Sequence, residues 1–141
     1  MKDKQLADLG HGIYLGNWES CLVMPEVKAI HISGTEPSLC GCPEDQKMTW
    51  VESEPFSIAQ MEYVKEILDK NNEVLIHCQA GMNRAPTTCF LALLLRGVSV
   101  QEAYLSISKA TLLEYVISTI PYWQPMNLRR IMLWVEKQKV S

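Results

Sequence analysis

The segment Val74–Pro86, VLIHCQAGMNRAP, constrains the fold of this 141-residue chain more than any other. An apolar run with strand character ends at His77-Cys78. After a short loop, the chain turns at Arg84 into an apolar segment, residues 87–96, that is too long for a typical strand. Cys78 is therefore predicted at the C-terminal end of a strand, in a turn that leads into a helix. Backbone N–H groups converge at a helix N-terminus and the helix dipole adds positive charge there, so the position favours an oxyanion or a thiolate.

The spacing between Cys78 and Arg84 suits a loop that surrounds one tetrahedral anion, because five residues separate them. The planar guanidinium of Arg84 can bind two phosphate oxygens at once, which a lysine cannot do. We predict that Cys78 attacks phosphorus while Arg84 and the loop amides hold the phosphate oxygens. A buried structural cysteine in an α/β turn is the alternative. The predicted substrate-binding loop residues are Gln79, Ala80, Gly81, Met82 and Asn83, with Gly81 allowing the amides to turn inward.

The residues HCQAGMNRA resemble the His-Cys-x5-Arg signature of the cysteine-dependent protein tyrosine phosphatases. The short chain resembles their dual-specificity branch in particular, and residues 10–17 and 126–136 resemble the opening strand and final helix of that branch. The resemblance implies a single domain over residues 1–141 with a three-layer α/β fold, in which helices flank a central, mostly parallel sheet. It also implies that His77 orients the cysteine loop.

The resemblance further implies a two-step reaction through a cysteinyl-phosphate, with one acid that protonates the leaving oxygen and then acts as a base. The family normally carries this acid as an aspartate in a loop after a strand. Here residues 47–51 are predicted as that strand, and the expected aspartate is missing. Glu52 matches best by position, with Glu54 and Asp45 as further candidates. No metal or other cofactor is needed, because Arg84 and the loop amides neutralise the phosphate charge.

A second departure lies directly after the arginine, where the family usually has a serine or threonine whose hydroxyl helps to release the thiolate. Ala85 stands there, and Thr87 and Thr88 are out of register. We therefore expect a slow second step. The Arg-Ala-Pro sequence also resembles plant-type glucan phosphatases, although no carbohydrate-binding module is recognisable.

Three functions remain open at this point. The first is a phosphomonoesterase acting on phosphoproteins, on tyrosine or on mixed sites. The second is an RNA 5′-triphosphatase, since Met82-Asn83-Arg84 is similar to that subgroup. Nucleic acid is nevertheless disfavoured, because the net charge is -3 and no basic run is present. The third is a phosphate-binding scaffold with little or no activity.

The cysteine content and the N-terminus favour a cytoplasmic protein. The number of cysteines, five, is odd, and the chain is not a small cysteine-dense scaffold. Cys40-Gly41-Cys42 has no matching second pair, so no zinc site is expected. The N-terminus is polar, without the apolar stretch of a secretory signal, and the longest apolar run, residues 89–95, is too short to span a membrane.

Hydrophobic patterns and turn residues predict the remaining elements. His31 falls in one of the predicted strands and is interpreted as a core or strand-end histidine. Residues 110–123 either extend a helix or form an extra wall. Strands are predicted at 13–15, 27–32, 47–51 and 73–77, and helices at 17–24, from Ser57 to Asn71, near 86–96, from Ser99 to Lys109 and at 126–137.

Overall fold

The computed structural model describes residues 6–16, 26–33, 47–50, 54–77, 84–114 and 125–140. The strands are β1 (Leu6–Asp8), β2 (Ile13–Gly16), β3 (Lys28–Ser33), β4 (Lys47–Thr49) and β5 (Val74–His77). The helices of the described ranges are α1 (Ile58–Lys70), α2 (Arg84–Leu95), α3 (Val100–Glu114) and α4 (Pro125–Val140). The helix predicted at 17–24 lies outside the described residues.

The strands form one sheet in the order β1-β2-β5-β3-β4, so β5 is the central strand. Strands β2, β5, β3 and β4 run parallel, and β1 is antiparallel to β2. All four residues of β5 are buried, as the continuous apolar run predicts for a strand covered on both faces. The predicted α/β class with a mostly parallel central sheet is confirmed. Because four strands are parallel, their carboxyl ends meet at one edge of the sheet.

The strand register brings three segments together near that edge. Gly16 of β2 and His31 of β3 both align with His77, the last residue of β5. The next parallel strand, β4, ends at Thr49, which aligns with Ser33 at the end of β3. Strand β4 is shorter than the predicted 47–51 because its partner strand ends there.

Helix α2 is the centre of the helical packing. Every residue from Arg84 to Leu94 is buried, including Phe90, Leu91 and Leu93. The helix lies against β2 and β5 and contacts α1, α3 and α4. Each fully buried leucine or phenylalanine contributes roughly 1.5–3 kcal/mol relative to exposure, so this apolar helix accounts for a large part of the core. Its burial confirms the central position that its composition predicts.

Capping residues define the helix boundaries where the sequence predicts them. Ser57 caps α1: its hydroxyl accepts from the Gln60 amide at 3.2 Å, while its own amide donates to the Gln60 side chain at 2.7 Å. Gly97, with φ of +90°, ends α2, and its amide donates to the Leu94 carbonyl at 3.1 Å. Ser99 caps α3 through the Glu102 amide at 3.2 Å.

Two features differ from the prediction, namely a strand near the N-terminus and the length of helix α3. Strand β1 was not predicted, because three residues at a sheet edge carry no recognisable pattern and are ordered by pairing with β2. Helix α3 continues to Glu114 instead of ending at Lys109, so the first part of the 110–123 segment extends a helix. Among the described residues, no helix combines the length and the apolar character that crossing a membrane requires.

Candidate functional site

The candidate site lies between the end of β5 and the start of α2. Strand β5 ends at His77 at the carboxyl edge of the sheet, and α2 begins at Arg84, so the strand and the helix predicted on either side of the loop are both present. Ligands of parallel α/β sheets commonly bind outside this edge. Cys78 and residues 79–83 lie outside the described residues, and so do the acid candidates Asp45 and Glu52.

Arg84 is the predicted phosphate-binding side chain that the structure describes. It is the first residue of α2, and only 8% of it is exposed. Its Nη1 donates a hydrogen bond of 3.2 Å to the backbone carbonyl of Trp50, the residue that follows β4. The guanidinium therefore extends from the helix N-terminus to the segment that follows the β4 strand. A permanent cation at this position, next to the positive end of the helix dipole, favours an anion as the occupant of the site.

Trp50 itself is held by its neighbours. Its Nε1 donates to the carbonyl of Glu54 at 2.8 Å, and its indole ring stacks on Phe56 with a centroid separation of 4.6 Å and an interplanar angle of 24°. Trp50 and Phe56 are both buried. Nothing in the sequence marks Trp50 as part of the site, since a hydrogen bond from Arg84 to a backbone carbonyl leaves no sequence signal.

His77 and His31 form a buried pair beside the site. Their rings meet edge to face, with centroids 4.8 Å apart and an interplanar angle of 75°. Burial and, to a smaller extent, the charge of His31 lower the pKa of His77 from 6.5 to about 4. His77 is therefore neutral at pH 7, and it supplies no positive charge to the residue that follows it. The core interpretation of His31 is confirmed, but its contact with His77 depends on the β3–β5 register and was missed.

The first turn of α2 shows how Ala85 and Thr88 are placed where the family usually has a hydroxyl after the arginine. Ala85 is fully buried and offers no polar atom in its side chain. The hydroxyl of Thr88 donates to the backbone carbonyl of Arg84 at 2.9 Å, one helical turn back. Because its hydrogen is used within the helix, Thr88 does not take over the role of the absent serine or threonine.

Within the ranges that the structure describes, no group of three or more histidine, cysteine, aspartate or glutamate residues is arranged to hold a metal ion. The described part of the site thus consists of one arginine, one helix N-terminus and a buried imidazole pair.

Comparison with solved structures identifies the fold. The chain superimposes on PTPMT1 in complex with PI(5)P with a TM-score of 0.70, covering 96% of this chain and 97% of that chain at 15% identity. Human DUSP28 gives a TM-score of 0.67 at 16% identity, with 95% of each chain covered. The fold is that of the dual-specificity phosphatases. The resemblance seen in the sequence is confirmed at this level.

The same fold also occurs in a protein described as phosphatase-like. The human tyrosine phosphatase-like serine/threonine/tyrosine-interacting protein matches with a TM-score of 0.61 and 14% identity, covering 98% of this chain and 99% of that chain. No protein-family model and no curated protein matches the sequence. These similarities, at 14–16% identity, show the phosphatase-like fold.

Proposed function

We propose that this protein is a cysteine-dependent phosphatase that hydrolyses phosphomonoesters of proteins, either at tyrosine or at both tyrosine and serine/threonine sites. The observation that carries the proposal is the placement of Arg84. This buried guanidinium stands at the first residue of α2, beside the carboxyl edge of the central strand, and the sequence provides a cysteine immediately after that strand. A thiol after the strand, followed by a cation at a helix N-terminus, suits attack on a phosphate.

The reaction has two steps. The Cys78 thiolate attacks phosphorus and the bond to the leaving oxygen breaks, while Arg84 and the amides of residues 79–83 hold the non-bridging oxygens. Glu52, or Asp45 in its place, gives a proton to the leaving oxygen. Water then attacks the cysteinyl-phosphate, the same carboxylate accepts a proton from the water, and Cys78 leaves as a thiolate.

In the proposed mechanism, the Cys78 thiolate is stabilised by the helix N-terminus and by Arg84 rather than by a charged histidine. His77 is neutral at pH 7, since its pKa is lowered to about 4, so it does not stabilise the Cys78 anion by charge. The helix N-terminus and Arg84 provide the positive potential. The role proposed for His77 is to orient the loop from the end of β5.

Hydrolysis of a generic aryl phosphate tests the proposal. Cys78→Ser is expected to reduce kcat/KM by at least about 10³-fold, because the nucleophile is removed. Cys89→Ala is the matched control, since it removes a second thiol that is buried within α2. Equal activity of wild type and Cys78→Ser would disprove the mechanism.

The general acid is identified by a pair of variants. Glu52→Gln and Asp45→Asn each replace a carboxylate by an amide of the same shape. The variant that removes the acid is expected to lose about 10²- to 10⁴-fold in kcat, the usual contribution of general acid catalysis. If neither variant loses activity, the acid lies elsewhere or is dispensable.

A phosphate-binding scaffold with slow turnover is the second candidate. It is favoured by Ala85 and by the Thr88 hydroxyl, which is engaged with the Arg84 carbonyl. The similarity to a phosphatase-like interacting protein is compatible with it. A scaffold of this kind would bind phosphopeptides with little or no catalytic turnover, whereas an efficient enzyme converts them.

The substrate class is tested with a panel on wild type and Cys78→Ser. The arms are phosphotyrosine peptide, phosphothreonine peptide, phosphoglucan, phosphoinositide and triphosphorylated RNA. Phosphoinositide is included because the similar PTPMT1 structure holds PI(5)P. We expect the peptides to be preferred, and RNA to be disfavoured by the net charge of -3. Preference for RNA or glucan would show that the substrate is not a protein, and it would leave the proposed cysteine chemistry unchanged. A cytoplasmic location stays a prediction.

A further inference from the structure

Helix α4 holds a residue that is remote in sequence from the candidate site. Asn127 is buried, with 2% exposed, and its Oδ1 accepts a hydrogen bond of 2.9 Å from the backbone amide of Phe56. The carbonyl of Phe56 accepts a 3.3 Å hydrogen bond from Nε of Arg130, on the same helix. Helix α4 therefore holds Phe56 by both of its backbone polar groups.

From Phe56 the contacts continue towards Arg84. The Phe56 ring stacks on the Trp50 indole at 4.6 Å, and the Trp50 carbonyl accepts the 3.2 Å hydrogen bond from Arg84 Nη1. All four residues in this series, Asn127, Phe56, Trp50 and Arg84, are buried. Close-packed interiors transmit small displacements, so a shift of Phe56 changes the position of the carbonyl that orients the guanidinium.

We infer that Asn127 is a positioning residue for Arg84, acting through Phe56 and Trp50. The inference rests on the proposed function in one respect, namely that Arg84 binds phosphate. A bidentate guanidinium must meet two phosphate oxygens in one plane, so its benefit depends on orientation as well as on charge. Asn127 contributes to that orientation without touching the substrate.

A merely structural role for Asn127 makes a different prediction. If its hydrogen bond to Phe56 only stabilised the fold, Asn127→Ala would lower the free energy of unfolding but leave anion affinity unchanged. Asn71→Ala is the matched control: the Asn71 side chain donates to the Ile67 carbonyl at 2.9 Å, in the connection before β5, at the sheet edge opposite the site. Each substitution removes a hydrogen bond between an asparagine side chain and the backbone.

The test is a double-mutant cycle on the whole chain, with inorganic phosphate as the probe and calorimetry as the assay. Asn127→Ala is expected to weaken phosphate binding about 3- to 30-fold, the usual range for residues that act through others. In an Arg84→Lys background the same substitution is expected to change affinity less than about 2-fold, because the bidentate geometry it supports is already lost. Asn71→Ala is expected to bind phosphate as the wild type does.

A second variant keeps the test decisive if Asn127→Ala does not fold. Phe56→Leu keeps the backbone amide that donates to Asn127 but removes the ring that stacks on Trp50. It is expected to weaken phosphate binding in the wild-type background and to change it less than about 2-fold in the Arg84→Lys background. Wild-type affinity in Asn127→Ala, or in Phe56→Leu where that variant replaces it, overturns the inference. So does a loss of equal size with and without Arg84→Lys. The proposed function fails separately, if Arg84→Lys itself leaves phosphate affinity unchanged or if Cys78→Ser still hydrolyses aryl phosphate.

Discussion

Acidification is expected to destabilise the protein through His77. The folded state keeps this imidazole neutral, since its pKa is lowered from 6.5 to about 4 by burial and by the neighbouring His31. Above pH 6.5 the residue is neutral in both folded and unfolded chains, so its contribution to stability is fully present. As the pH falls from 6.5 towards 4, the unfolded chain takes up the proton first, and the free energy of unfolding decreases.

The size of the effect follows from the same pKa. Each pKa unit corresponds to about 1.36 kcal/mol, so the complete loss is about 3 kcal/mol. About 2 kcal/mol of it is expected between pH 7 and pH 4.5. This is a large part of the stability of an ordinary domain, which is about 5–15 kcal/mol. Burial is the larger cause, so removing only the charge of His31 leaves most of the effect in place.

Urea unfolding of wild type, His77→Asn and His31→Asn between pH 7 and about pH 4.5 measures this loss of unfolding free energy. Carboxylates also titrate there, so the quantity of interest is the difference in pH dependence between wild type and His77→Asn. We expect wild type to lose about 2 kcal/mol more than His77→Asn by pH 4.5, and His31→Asn to behave like wild type over most of the range. Nitrogen chemical shifts of the three imidazoles report the protonation of His77 directly. Equal pH dependence in wild type and His77→Asn would refute the reasoning.

Three further predictions concern other parts of the chain. Pre-steady-state hydrolysis of an aryl phosphate is expected to show a burst in the wild type that shrinks in Ala85→Ser, because the added hydroxyl helps the second step; a linear wild-type progress curve contradicts this. Gly12→Ala is expected to unfold at lower urea concentration than Gly10→Ala. Both glycines have φ near +80°, at +79° and +81°, but only at Gly12 would the new Cβ overlap the Asn72 carbonyl oxygen. Equal urea midpoints for the two variants would show that the strain of a positive φ, and not the overlap with Asn72, determines the loss of stability. Arg96→Met is expected to cost about 1.5–3 kcal/mol of unfolding free energy, since the guanidinium donates to the carbonyls of His11, Leu68, Asn71 and Asn72 at 2.7–3.2 Å. The exposed Arg129→Met is the control, and equal stability of the two variants would exclude this role for Arg96.

The segments that could be predicted from the sequence are those whose structure follows from local chemistry. The apolar run before Cys78 and the apolar helix after Arg84 are buried on all sides, so composition alone indicates central elements. Ser57, Gly97 and Ser99 could be predicted as helix boundaries because a cap satisfies backbone groups within a few residues. The resemblance to phosphatases adds the expectation of a central, mostly parallel sheet between helices, which no local pattern contains.

Contacts between distant segments could not be predicted in the same way. The edge strand β1 is too short to show a pattern, and the His31–His77 contact requires the register of two strands separated by more than forty residues in the sequence. The hydrogen bond from Arg84 ends on a backbone carbonyl, which every residue has. Asn127 lies within residues 126–136, which resemble the family's final helix, and the resemblance gives this residue no role in the site. Its hydrogen bond to Phe56 depends on how α4 packs.

If the proposed mechanism holds, we expect phosphate binding to be favoured over fast turnover, because of where the polar groups of the described part of the site are engaged. His77 is neutral at pH 7, so it adds no positive charge. The Thr88 hydroxyl donates to the Arg84 carbonyl, so it does not assist a departing thiolate. Arg84 is buried and oriented by the Trp50 carbonyl, and it provides a fixed cation beside the helix N-terminus. Under the proposed mechanism, these groups stabilise a bound phosphate and a thiolate, so we expect the slow step to be the one that releases the thiolate from the cysteinyl-phosphate.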